Sequence, residues 1–336
     1  MNNLLKILAV PASWLYGLAV GIRNGLYNSH FIRTTDAPLP AICVGNLAVG
    51  GTGKTPMVEY LVRLLSPHYR IAVLSRGYKR TTHGFMLADH NATASTIGDE
   101  PLQLHRKFPD IVVAVCGERL LGMKRLKQAF PDLQVVILDD AFQHRRIRCG
   151  LNILLTPADS LYVDDHYLPY GHLRDAKNQS LRADIIVVTK CPKGLKPIEK
   201  RLIDTRLHLP SYQSLFFSTI DYPAVEAGKR TMLVTAIARP EYLEEHLRTI
   251  IPNLETLCFP DHHVLSRNEL HFLEQKAKYY DRILTTEKDM ARLEEAPLSD
   301  ALREKLVPIP ILTQIDQHEA FDRQVMTYVR ENVRKR

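Results

Sequence analysis

Residues 48–55 read Ala-Val-Gly-Gly-Thr-Gly-Lys-Thr, directly after the apolar run PAICVG (40–45) and before a helical stretch. A strand that hands over to a helix through a turn holding three glycines points to an α/β sheet whose loops gather at one edge. The segment matches the phosphate-loop pattern with Ala48 in place of the first glycine. Its residue types have chemical reasons. Gly50, Gly51 and Gly53 let backbone N–H groups turn inward around phosphate oxygens. Lys54 reaches the β- and γ-phosphates of a nucleotide, Thr55 offers a hydroxyl to Mg²⁺, and the helix N-terminus adds its partial positive charge. The expected nucleotide-binding segment is Ala48, Val49, Gly50, Gly51, Thr52, Gly53, Lys54 and Thr55.

Short apolar, β-branched runs recur along the chain, at 70–75, 111–116, 134–139, 151–156 and 184–189, each separated from the next by helical pattern. Runs apolar on both faces indicate a parallel sheet covered on both sides. The stretch 192–230 is richer in Pro, Lys and Gly, and the alternation restarts at 231–237. It continues with a helix opened by Pro240, a strand near 254–258, a helix near 266–279 with Ser266 and Glu269 as its capping box, and a strand at 282–286. A chain of 336 residues also exceeds the roughly 250–300 at which one core stops growing. The expected fold class is therefore α/β: a P-loop NTPase-like parallel-sheet domain with helices on both faces, plus a second, smaller α/β domain. The boundaries are 1–28 for an N-terminal helix, 29–220 for the first domain and 221–336 for the second, with the C-terminal helix a candidate to return to the first. Five cysteines without a CxxC pair read as reduced core residues of a cytosolic protein. The excess of 44 Lys and Arg over 37 Asp and Glu is mild, suiting an anionic ligand or surface without requiring nucleic acid.

The run VVILDD (135–140) supports the phosphate loop, since an apolar strand ending in carboxylates is where a Mg²⁺-holding acid belongs. Asp139, straight off the strand, is the expected metal ligand together with Thr55. A guanine-reading N/T-K-x-D sequence would be expected after a late strand, but Thr189-Lys190-Cys191-Pro192 lacks the Asp, which favours ATP. Val49 stands where partitioning and metal-chaperone ATPases place a lysine, which argues against that class.

Residues 7–22 (ILAVPASWLYGLAVGI) carry no charge and are bracketed by Lys6 and Arg23. Their helical rise of roughly 24 Å falls short of the ~30 Å hydrocarbon core. Pro11 suits the first turn of a helix running to about Tyr27, with Trp14, Leu15, Leu18, Ile22 and Leu26 on one face. Such a face either dips into a membrane surface or packs on the domain, and the residues alone leave both open.

Several stretches taken together resemble one family: GNLAVGGTGKTP (45–56), LSRGYKR (74–80), GDEPLQL (98–104), LDDAFQHRRIRC (138–149), LPYGHLRD (168–175), FPDHH (259–263) and TTEKD (285–289). In this order they resemble tetraacyldisaccharide 4′-kinase, the lipid A 4′-kinase of Gram-negative bacteria. The resemblance covers essentially the whole chain. Ala141, where Gly is expected, and Tyr170-Gly171-His172, where Ala-Gly-Pro is expected, depart from it. The resemblance implies two α/β/α domains and transfer of the γ-phosphate of ATP, with Mg²⁺, to the 4′-hydroxyl of a glucosamine disaccharide 1-phosphate lipid. It also implies peripheral attachment at the cytoplasmic face of the inner membrane, with a glycolipid and a membrane surface as partners, and neither nucleic acid nor an obligate protein partner. On the residues alone Asp99 reads as a helix N-cap with Pro101 in the first turn. The resemblance implies instead that Asp99 is the general base and His262 its partner, with His263 the competing assignment. Arg76, Gln143, His144 and Arg145 are further candidates to contact phosphate or lipid. Glu287, Lys288 and Asp289 carry no assigned chemistry. The alternative function is a P-loop ATPase switch or chaperone that has no lipid acceptor.

Overall fold

The computed structural model describes residues 3–225, 228–237, 239–261 and 263–334. Its first helix, α1 (Asn3–Asn28), begins upstream of the expected start, so Pro11 lies inside it rather than in the first turn. Pro11 offers no N–H to the ladder and crowds the carbonyl one turn back, yet the chain is helical on both sides of it. Ser13, Val20 and Asn24 are buried against the body, whereas Trp14, Leu15, Leu18 and Ile22 remain exposed on another face. The helix thus both packs on the protein and presents an apolar surface. Among the described residues no helix is long and apolar enough to cross a membrane.

The runs that alternate with helices form the strands expected of them. They are β2 (Ala41–Asn46), β3 (Ile71–Ser75), β5 (Val112–Val115), β6 (Val135–Asp139), β8 (Leu151–Pro157) and β9 (Ile185–Thr189), preceded by the short β1 (Thr35–Asp36) and interleaved with β4 (Met86–Leu87) and β7 (Ile147–Arg148). β1 and β7 make a separate two-stranded ribbon. The others join β10 (Ser214–Asp221) and β15 (Leu312–Ile315) in a nine-stranded sheet of order β15-β10-β9-β8-β2-β6-β3-β5-β4. It is parallel except at its two edges, where β15 and β4 run antiparallel to their neighbours. Because β2 is central, the loop leaving its carboxyl end opens between the ends of β6 and β8, where doubly wound sheets place ligands.

A second sheet, β12-β11-β13-β14, is wholly parallel and comprises β11 (Thr231–Thr235), β12 (Glu255–Cys258), β13 (Arg282–Thr286) and β14 (Leu306–Ile309). Ser266 caps helix α8 (Arg267–Ala277) reciprocally with Glu269, the capping box expected there. Pro240 is the N-cap of α7 (Glu241–Ile250). After β14 the chain returns to the large sheet through β15 and α11 (His318–Arg334). Phe321, Val325 and Val329 of α11 are fully buried there, with Phe321 edge-on to Phe216 of β10 and to Tyr60. Four of the cysteines are buried, but Cys258 is exposed beside Glu244, contrary to the expectation that all are core residues. It lies at the end of β12, an edge strand of the small sheet.

Phe321→Ala should cost about 3–5 kcal/mol, because it empties a site walled by two aromatic rings. Denaturant unfolding should register a drop in midpoint with an unchanged slope.

Candidate active site

The turn after β2 is built as its composition requires. Gly50 and Gly53 adopt φ of 101° and 87°, and Gly53 is the N-cap of α2 (Lys54–Leu65). L side chains would be strained at both positions. Thr52 is buried: its hydroxyl accepts from Asn46 Nδ2 at 2.6 Å, and its carbonyl accepts from the Thr189 hydroxyl at 2.8 Å. Polar side chains at the ends of β2 and β9 therefore brace the loop from below.

Beside it, β6 delivers two adjacent carboxylates into different surroundings. Asp139 Oδ2 accepts from Ser75 Oγ at 2.9 Å, while Oδ1 is buried with no hydrogen-bond partner among the described residues. Burial, reinforced by nearby Glu100 and Asp140, pushes the Asp139 carboxyl up to about 7. Asp140 sits at a positive φ of 46°. Burial also opposes its charge, but the Arg174 guanidinium bonded to it and Lys54 at 3.9 Å overcome that and hold it well below the usual range. One carboxylate is thus neutralised by protein cations, and the other has an oxygen in want of a cation. That donor set fits a hard divalent ion such as Mg²⁺, with Asp139 and the Thr55 hydroxyl as the oxygens on offer.

These groups line one cavity of about 550 Å³, which runs from the phosphate loop to the small sheet. Asp99 and Glu100 line it from the start of α4 (Asp99–Lys107). The N-cap of α4 is Gly98 at φ 94°, so Asp99 is the first helical residue and not the cap. Helix α9 (Glu287–Leu293), whose Glu287 and Lys288 also line the cavity, brings Arg292 Nε to 3.6 Å from Asp99 Oδ2 and Lys288 Nζ to 3.7 Å from Glu100 Oε1. His262 lies outside the described residues. His263 Nε2 is 3.0 Å from both Glu269 carboxylate oxygens and its ring stacks on Phe259, so these side-chain contacts lie within its own neighbourhood.

The sequence model of the LpxK family, tetraacyldisaccharide-1-P 4′-kinase, matches residues 5–330. This chain belongs to that family. It is 44% identical over 344 residues to the tetraacyldisaccharide 4′-kinase of Flavobacterium johnsoniae, a span covering 98% of this chain and 99% of the relative. To the enzyme of the same name from Bacteroides thetaiotaomicron it is 41% identical over 354 residues, covering 96% and 93%. The crystal structure of an LpxK from Aquifex aeolicus in complex with ATP superimposes with a TM-score of 0.74 at 25% identity, over 97% of this chain and 99% of that one.

Within this tetraacyldisaccharide 4′-kinase fold, the four candidate phosphate or lipid contacts separate. Arg76 lines the cavity. Gln143 Nε2 donates to Asn46 O at 2.7 Å, and its carbonyl accepts from Arg23 of α1. Arg145 donates to Asn28 Oδ1 at 2.7 Å and lies over the Tyr27 ring, so it holds α1 in place. Burial lowers His144 to about 4, which leaves it neutral at physiological pH. Two residues with no role legible in the amino-acid order are Arg174, which grips Asp140 and Asn46, and Arg292, which lies beside Asp99. Arg174 did fall within the quoted 168–175 stretch; Arg292 lies three residues beyond the 285–289 stretch and carried no signal of its own.

The raised Asp139 carboxyl carries a stability cost with a definite sign. Below about pH 4 it is protonated in both folded and unfolded chains, and the cost grows between pH 4 and pH 7 as only the unfolded chain readily ionises. Asp139→Asn should therefore raise the melting temperature of the metal-free protein at pH 8 and leave it nearly unchanged at pH 4, by differential scanning fluorimetry.

Proposed function

We propose that this chain is an ATP-dependent kinase that transfers the γ-phosphate to the 4′-hydroxyl of a tetraacylated glucosamine disaccharide 1-phosphate at a membrane surface, the cytoplasmic face of the inner membrane. Its kinase identity rests on the family. The reading of its residues rests above all on Asp99 facing the phosphate loop across one shared cavity. The nucleotide's phosphates would take the N–H groups of residues 50–55 and the Lys54 charge, with Arg174 fixing Asp140 beside them. Mg²⁺, when bound, would neutralise charge on the β- and γ-phosphate oxygens, and Thr55 and Asp139 are the residues to hold it. The acceptor oxygen forms a bond to the γ-phosphorus, the bond from that phosphorus to the departing ADP oxygen breaks, and the acceptor proton goes to an Asp99 carboxylate oxygen. A carboxylate is a weak base, so it takes the proton late, as the loose transition state develops. His262 is the expected partner that orients it. The acyl chains suit the exposed face of Trp14, Leu15, Leu18 and Ile22, because α1 is tied to the site through Arg23 and Arg145. An acceptorless ATPase switch gives that face and Asp99 nothing to do.

Lys54→Ala should lower the rate of phosphoryl transfer on the order of 10²–10³-fold with melting temperature maintained, as loss of a charge on the transferring group does. Retention of activity within tenfold would remove the phosphate loop from the mechanism. Replacing Leu15, Leu18 and Ile22 together by Glu should abolish sedimentation with anionic vesicles and raise KM for the lipid. ATP affinity should hold, since these side chains face away from the body. Asp99→Ala and His262→Ala should each depress kcat, and their losses should not multiply in the double variant, as expected for two residues working as one unit.

A further inference from the structure

We propose that Arg292 is a positioning residue for Asp99, delivered from the small sheet to orient the base; this deepens, and rests on, the reading of Asp99 as proton acceptor. Arg292 belongs to α9, whose N-cap Thr286 ends β13. Its side chain is only 9% exposed and is held from three directions. Nη1 donates to His263 O at 2.9 Å, Nη2 lies 3.4 Å from Ala236 O, and Nη2 also pairs with Asp289. Asp289 is itself fixed, accepting from the Thr235 hydroxyl at 2.8 Å, the Ala236 N–H at 3.0 Å and the Thr286 hydroxyl at 2.7 Å. The ends of β11 and β13 thus form a socket that leaves the guanidinium little freedom to turn.

The nitrogen left over is Nε. It is buried without a hydrogen-bond partner among the described residues, and it is the one that faces Asp99 Oδ2 at 3.6 Å. A buried N–H donor is costly to leave unmade, so a small closing movement that brings the carboxylate within hydrogen-bond range is favoured. Asp99 is the first residue of α4, and Gly98 before it has no side chain to add a constraint. A rigid cation from the opposite sheet supplies that constraint. It also makes the orientation of the base conditional on α9 staying docked on α4. That docking is secured elsewhere, by Arg106 on Glu294 at 2.6 Å and by Lys107 between Glu59 and Glu287.

The test uses full-length enzyme with ATP and the disaccharide 1-phosphate lipid, comparing wild type, Arg292→Gln, Arg292→Lys, Asp99→Asn and the Arg292→Gln/Asp99→Asn double variant. Arg292→Gln should lower kcat by roughly 10- to 100-fold, part of what a positioned base contributes, with KM for ATP little changed. Arg292→Lys restores the charge and should recover part of that loss. In the Asp99→Asn background Arg292→Gln should cost almost nothing further, because the group it positions is gone. Should Arg292→Gln fail to fold through its effect on Asp289, the Arg292→Gln/Asp289→Asn pair, which keeps the socket neutral, takes its place. Wild-type kcat in the folded Arg292 variants, or an equal loss in both Asp99 backgrounds, would overturn the proposal and leave the Asp99 reading intact. Wild-type kcat in Asp99→Asn would overturn that reading instead, and the proposal with it.

Discussion

A carboxylate buried at the end of a central strand, with one oxygen unpartnered among the described residues, is the constraint on which the rest of this structure turns. Asp139 is costly to the folded protein, since burial disfavours its charge and, among the described residues, Ser75 alone hydrogen-bonds to its carboxylate. The fold carries that cost because the apolar strands on both sides of β6 bury a large core around it. Adjacent Asp140 shows the opposite solution, a carboxylate saturated by Arg174 and Lys54. Two neighbouring acids held in opposite states are what a site needs if one is to receive a cation and the other to set the position of a lysine.

The second structural condition is that the cavity has walls from two sheets. The phosphate loop, Arg76 and Asp99 come from the large sheet, while Thr286, Glu287 and Lys288 come from the small one. Their junction is a charged seam along α4 and α9, backed by a small apolar contact in which Ala291 meets Ile97 and Leu102. Charged seams of this kind separate at modest cost, unlike a continuous hydrophobic core, and they restore the same register on closing. We place the limit between two domains near residue 220, although β10 crosses that point as an interior strand of the large sheet and β15 and α11 return to it.

Much of this was legible in the amino-acid order, for local reasons. The phosphate loop declares itself because its glycines meet a backbone requirement, and VVILDD because a buried strand and its terminal acids are contiguous. Ser266 and Glu269 announced α8 because a capping box is complete within four residues. What escaped was long-range. The large-sheet strand β10 was hidden in a stretch of weak periodicity, since its partners β9 and β15 lie on either side of the small sheet in sequence. Arg174 and Arg292 read as ordinary basic residues until the fold set one on Asp140 and the other by Asp99. Pro11 misled about the start of α1 because a proline is compatible with a helix interior when its flanks remain helical.

On this reading the cavity moves a phosphoryl group from ATP to a lipid hydroxyl instead of releasing it to water. Incubating the purified protein with γ-labelled ATP and the disaccharide 1-phosphate lipid in detergent micelles, then locating the label by thin-layer chromatography and phosphorus NMR, tests it directly. Label should appear in a new phosphomonoester at the 4′ position, formed in step with ADP and dependent on the lipid. Label appearing only as inorganic phosphate, at a rate indifferent to the lipid, would contradict it.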